Sequence, residues 1–316
     1  MKAFALTFLF FLLSMSTFPQ SEAKPIRVET DLINFEVTVT DKKGNIVRGL
    51  KSEDFQIFEN GVERKIDFFE PIKNNGKSRP LAVVFALDVS GSMTEQEIEK
   101  LKFVISRFIE TLADYRSQFA ILTFGMRVKV LLPFTNNPDK IRKAILKLEH
   151  ERDGLSTHAY DAVDTAIRML RRQIPNQKNE KLARKIVVLI TDGFPVGDLV
   201  TPETVIERAN TAEVTIYSII LPSYSIFSRN KRPLLTPLEA SGIIEKTGGR
   251  TFYPTEQELD EIFRALSDEF TGSYVLAFYP SEESKRDGRF REVKIKIKQG
   301  NYKIRQNRLG YKFPIQ

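Results

Sequence analysis

The chain has 316 residues, two histidines, no cysteine and a formal net charge of +7. The lack of cysteine excludes disulfides, a thiol nucleophile, zinc–thiolate sites and a lipid-modified cysteine near the N-terminus. The basic excess is spread among many acidic residues and comes with no zinc-finger, helix-turn-helix or aromatic–basic signature, so nucleic acid is not an expected partner.

Met1-Lys2 followed by the apolar stretch Ala3 to Met15 reads as a secretory signal peptide, with the small residues of Ser21-Glu22-Ala23 before a cleavage point at Lys24. The expectation is export to the periplasm or the extracellular space after loss of residues 1–23. The apolar run is short for a membrane-spanning helix, and no later segment matches it, so the mature chain is expected to carry no transmembrane segment.

Residues 24–72 read as all strand. Ile33, Phe35, Val37 and Val39 alternate with Asn34, Glu36, Thr38 and Thr40, the period of a half-buried strand. Asp41 to Asn45 is a turn, and Asn60-Gly61 between Phe55–Phe58 and Val62–Phe69 is a strong hairpin signal. Residues 73–79 are a polar linker.

Across 80–271, strands expected near Leu81–Leu87, Gln118–Phe124, Val128–Leu132, Lys185–Thr191, Val214–Ile220 and Arg250–Tyr253 alternate with helical patterns. The helices are expected at Glu95–Leu112, Pro138–Glu149, Ala159–Arg172, Pro202–Ala212, Pro237–Lys246 and Glu256–Phe270. Such alternation implies an α/β, doubly wound, mostly parallel sheet with helices on both faces. Residues 272–316 return to strand: Tyr274–Phe278, Phe290–Lys298 with a lysine-coated outer face, and Ile304–Tyr311. Neither all-strand end suffices for a stable sheet, but together they can form one small β-sandwich into which the α/β domain is inserted.

Asp88-Val89-Ser90-Gly91-Ser92 directly follows the buried strand Leu81–Leu87 and brings one carboxylate and two hydroxyls to one point. Thr157 sits just before the helix at Ala159, and Asp192 follows the second apolar strand in Thr191-Asp192-Gly193. Strands of an open parallel sheet present their carboxyl ends to a ligand crevice, so Asp88, Ser90, Ser92, Thr157 and Asp192 converge on one edge. Oxygen donors of this kind suit a hard divalent cation. Asp-x-Ser-Gly after a strand is also ordinary turn chemistry, with side chains satisfying backbone N–H groups.

The pattern resembles the von Willebrand factor type A domain and its metal-ion-dependent adhesion site, shared by the integrin I domain. The resemblance implies Ser90, Ser92 and Thr157 as hydroxyl ligands, and Asp88 and Asp192 as ligands bound directly or through water. It further implies Mg²⁺, Mn²⁺ or Ca²⁺ as the ion, and a protein partner whose carboxylate completes the coordination. The ends of the chain resemble a bacterial family built around such a domain, through Thr40-Asp41-Lys42-Lys43-Gly44, Gly49-Leu50, Asp54-Phe55, Glu59-Asn60-Gly61 and Gly310-Tyr311.

Residues 222–233 are long for a strand-to-helix connection and leave the same edge. Tyr224, Phe227, Arg229, Lys231 and Arg232 in it, with Phe194 and His158, are candidate rim residues for an acidic partner. An uninvolved loop is the alternative. Catalysis is not expected: Ser90 stands where a phosphatase nucleophile at Asp88 would need a second carboxylate, and neither His150 nor His158 completes a hydrolase motif. The reading is an exported adhesion-type interaction module. The alternatives are a structural envelope module whose metal only stabilises loops, and a metal-dependent hydrolase. Oligomeric state is not encoded in these features.

Overall fold

The computed structural model describes residues 32–71, 80–91, 95–112, 117–149, 151, 156–173, 183–221, 235–253 and 259–313. Strand β1 (Ile33–Thr40) buries Phe35, Val37 and Val39, as its alternation requires. The following turn closes on Asp41, whose Oδ1 accepts the Lys43 and Asn45 N–H groups at 2.8 and 2.9 Å. Strands β2 (Phe55–Glu59) and β3 (Val62–Arg64) form the expected hairpin, with Asn60 and Gly61 both at positive φ. The single run expected over Val62–Phe69 is two strands, because β4 (Phe68–Glu70) leaves to pair in a different sheet.

The α/β region contains β5 (Leu81–Asp88), α1 (Glu95–Leu112), β6 (Gln118–Phe124), β7 (Lys129–Thr135), α2 (Pro138–Ile145) and α3 (Ala159–Gln173). It continues with β8 (Arg184–Thr191), α4 (Pro202–Ala212), β9 (Val214–Ile220), α5 (Pro237–Ala240), α6 (Ile243–Lys246), β10 (Thr251–Phe252) and α7 (Leu259–Thr271). The strand order is β10-β9-β8-β5-β6-β7, parallel except for the antiparallel edge strand β7. Every residue of β5 is buried, which is why its sequence is a continuous apolar run. Val83, Phe85 and Leu87 face α1, α2 and α7. Ala82, Val84 and Ala86 face α3, α4 and α6, where Ala159, Ala162 and Ala166 bring α3 close to the sheet.

Two helices are shorter than expected. After Ile145 the hydrogen bonds tighten to i→i+3, with Lys147 N–H on Ala144 O and Leu148 N–H on Ile145 O, which turns Leu148 inward and leaves Leu146 exposed. The run Pro237–Lys246 breaks at Ser241-Gly242, with Gly242 at φ 70°.

The chain ends in β11 (Ser273–Phe278), α8 (Glu282–Arg286), β12 (Arg291–Ile297), β13 (Lys303–Gln306) and β14 (Gly310–Tyr311). Among the described residues two four-stranded antiparallel sheets result, β13-β1-β11-β4 and β14-β12-β2-β3, each mixing strands from both chain ends. Phe35, Val37, Ile57, Tyr274, Leu276, Val293, Ile295 and Tyr311 form their common core. The α/β region leaves from β4 and returns into its neighbour β11, so exit and entry lie side by side. The strand expected over Ile304–Tyr311 is split: Asn307 stops it by exchanging hydrogen bonds with the Glu36 backbone, and β14 joins the opposite sheet. Arg184, buried at the start of β8, pairs with Glu36 of β1 at 2.8 Å and donates to the Glu269 carbonyl of α7, tying the regions together.

Candidate metal centre

β5 ends on Asp88, which is fully buried. The turn after it is built by the Asp88 carboxylate, whose Oδ1 accepts from Ser90 N–H at 2.9 Å and Ser90 Oγ at 2.5 Å. Its Oδ2 accepts from Thr191 Oγ1 at 2.7 Å, so the last residue of the adjacent β8 holds the other oxygen. Asp192 follows, 7% exposed, with Oδ1 accepting Phe194 N–H at 3.1 Å. Burial pushes the Asp88 carboxyl up to about 6, the charge of Asp192 adds to this, and the Ser90 and Thr191 hydrogen bonds oppose it. Neither carboxylate has a basic partner among the described residues.

Thr157 is tied to the Asp192 loop through two backbone hydrogen bonds with Val196, each 2.9 Å. Its hydroxyl has no hydrogen-bond partner among the described residues. Glu151 N–H donates to Val89 O at 2.7 Å, and His158 N–H to Gly125 O at 3.3 Å. These contacts pull the segment before α3 onto the ends of β5 and β6. Gly125 lies under the Glu151 carboxylate, whose Oε2 a Cβ would meet at 2.4 Å and would push aside. Gly193, at φ 88°, lets the Asp192 loop turn against Thr236, whose Cγ2 a Cβ would meet at 2.8 Å.

Of the five residues expected to ligate, Asp88, Ser90, Thr157 and Asp192 gather at this edge, and Ser92 lies outside the described residues. Tyr224, Phe227, Arg229, Lys231 and Arg232 also lie outside them. Phe194 is on the rim, 46% exposed, and Val196 and Leu199 beside it are exposed as well. His158 is half-buried and its Nδ1 contacts Asp161 Oδ2 at 2.9 Å. Asp161 also accepts the Leu199 and Val200 N–H groups, and Asp198 accepts the Asp161 N–H, which locks the Asp192 loop to the start of α3. Burial and the neighbouring Asp161 charge push the Asp198 carboxyl up to about 6, against the hydrogen bond from Asp161 N–H.

Sequence reasoning missed Thr191, Glu151, Asp161 and Asp198. Thr191 had a signal, a hydroxyl residue closing an apolar strand directly before Asp192. Glu151 had none, because the groups it meets, Val89 O and Met126 N–H, come together only in the folded chain. The donor set of hydroxyl and carboxylate oxygens suits a hard divalent cation, and the two carboxylates, without a basic partner among the described residues, are the charge that such an ion would neutralise.

A doubly wound sheet with Asp88, Ser90, Thr157 and Asp192 at its carboxyl edge defines the class. Residues 82–230 match the model of the von Willebrand factor type A domain, and the α/β region has that fold. Chicken (Gallus gallus) matrilin-3 is 28% identical over 148 residues, covering 45% of this chain and 32% of its own. The magnesium-chelatase 67 kDa subunit of Chlorobaculum tepidum is 23% identical over 191 residues, covering 58% and 30%. The chain thus spans about a third of the length of these curated relatives. Among solved structures, BatB of Bacteroides thetaiotaomicron aligns with TM-score 0.44 at 18% identity, over 60% of this chain and 98% of its own. Proximal thread matrix protein 1 from the mussel byssus, with a zinc-occupied MIDAS motif, aligns with TM-score 0.49 at 18% identity, over 64% and 47%.

Proposed function

We propose that this protein is a metal-dependent, non-enzymatic docking module. Asp88, Ser90, Thr157 and Asp192 would hold Mg²⁺, with Mn²⁺ or Ca²⁺ as substitutes, and Ser92 would supply the remaining hydroxyl of the family motif. The observation that carries this reading is the buried Asp88, held on both oxygens by hydroxyls and lying beside Asp192, with no basic partner to either carboxylate among the described residues. Bound there, the ion would supply a Lewis-acidic position that attracts an external carboxylate. The protein's part is to hold the ligands on three loops cross-linked through Val196, Thr191 and Glu151, and to surround the edge with the exposed Phe194, Val196 and Leu199. The partner is a protein presenting an acidic group against this apolar rim. A leader over 1–23 would take the chain out of the cytoplasm, and no helix among the described residues is long and apolar enough to cross a membrane.

The non-catalytic reading is supported by Ser90 standing two residues after Asp88, where a phosphatase nucleophile would need a second carboxylate. Water-proton relaxation of the Mn²⁺-loaded protein tests the docking role. A glutamate-containing peptide is expected to lower the relaxivity as its carboxylate replaces a metal-bound water. Unchanged relaxivity at saturating peptide would favour an ion that only rigidifies the loops.

A further inference from the structure

The outer face of α3 and α4 carries a cavity of about 280 Å³ lined by Ile167, Arg168, Arg171, Arg172 and Arg208. Four guanidinium groups around one small space make a concentrated positive field that favours an anion. Part of the answer is Asp164, 1% exposed beneath them. Its Oδ1 accepts from Arg208 Nη1 at 2.6 Å, and its Oδ2 is ion-paired with Arg168 Nη2 at 2.9 Å. One carboxylate therefore fixes two arginines from two helices while using one nitrogen of each, and each guanidinium has five N–H donors. Arg171 and Arg172 have no carboxylate partner among the described residues. Basic residues in a last helical turn complement the helix dipole. That accounts for their presence at the end of α3, but not for their sharing a cavity with a pair already oriented by a buried acid.

We propose that this cavity binds a multiply charged oxyanion of the phosphate type, either free in solution or carried on a lipid headgroup. All four positions are arginine, whose planar fork grips two oxygens of one phosphate where lysine offers a point charge. The space is open to solvent and large enough to admit a diphosphate group. Arg172 lies 13 residues along α3 from Ala159, hence roughly 20 Å from the end of the helix next to Thr157, at 1.5 Å per residue. The site is therefore separate from the metal centre.

The test is calorimetric titration of sodium pyrophosphate into the full chain in EDTA, so that no bound cation can capture the anion. Sedimentation with phosphatidic acid–phosphatidylcholine vesicles runs in parallel. Arg171→Ala/Arg172→Ala is compared with Lys140→Ala/Lys143→Ala, which removes the same charge from an exposed face of α2. One-to-one pyrophosphate binding, weakened at least tenfold in the arginine variant and less than twofold in the lysine variant, is the expected result and identifies a free ligand. The same contrast seen only with vesicles identifies a lipid-borne phosphate. No binding to either probe, or equal losses in the two variants, would overturn the proposal.

Discussion

Asp88 is the residue on which the proposed metal-centre chemistry turns, and its surroundings give its proton a measurable role. Its folded-state pKa is about 6, against an ordinary value of 3.8. As pH rises from about 4 to 6, the unfolded chain has already released this proton while the folded chain still holds it, so this contribution to stability falls. Above about 6 the full cost of the buried charge is present. In EDTA, urea midpoints between pH 4.5 and 7.5 should therefore carry a declining contribution that Asp88→Asn removes; identical pH profiles for the two proteins would contradict this account. Thr157 tests a different property, an available hydroxyl in a fixed backbone position. Thr157→Val should weaken Mn²⁺ binding about tenfold, or ~1.4 kcal/mol, and leave the unfolding temperature within a few degrees. Asp88 was legible because its motif is a short spacing at the end of an apolar strand, and Thr157 because it stands just before the helical pattern that opens at Ala159. The hydroxyl that Thr191 donates to Asp88 depends on β8 lying beside β5, a relation that no local pattern records.

At the scale of elements, continuous apolar runs announced β5 and β8, and the 3.6-residue period announced α3, since burial on both faces or on one stripe leaves those marks. The breaks were hidden because they come from tertiary partners. β4 departs from β3 to pair with β11, and β14 crosses to the second sheet after Asn307 engages Glu36. The motif residues at the chain ends have structural work of their own. Tyr311 donates from its hydroxyl to Glu59, Gly61 completes the hairpin turn, and Gly310 passes so close to β12 that a Cβ would stand 2.0 Å from Arg291 O. Gly310→Ala should accordingly cost about 3 kcal/mol in chemical denaturation, the scale of a severe overpacking defect. Arg184→Ala would remove the buried ion pair to Glu36 and the donor to the Glu269 carbonyl at the junction. Its expected cost is about 3–5 kcal/mol, measurable by urea unfolding, and a loss under 1 kcal/mol would show that the pair does not join the regions.

For the whole molecule, the insertion of the α/β region between β4 and β11 leaves the proposed metal edge built from three loops held by the central sheet. An ion that binds only the folded chain stabilises it by mass action, about 2.7 kcal/mol at a hundredfold excess over Kd. Thermal unfolding should therefore shift upward with added Mg²⁺ in the native sequence and stay fixed in Asp88→Ala. The most direct measurement is calorimetric titration of Mg²⁺ and Mn²⁺ into chelator-stripped protein lacking residues 1–23, beside Asp88→Ala. One ion per chain, with binding lost in the variant, is the predicted result; binding of equal strength in both proteins, or in neither, would contradict a metal centre at Asp88.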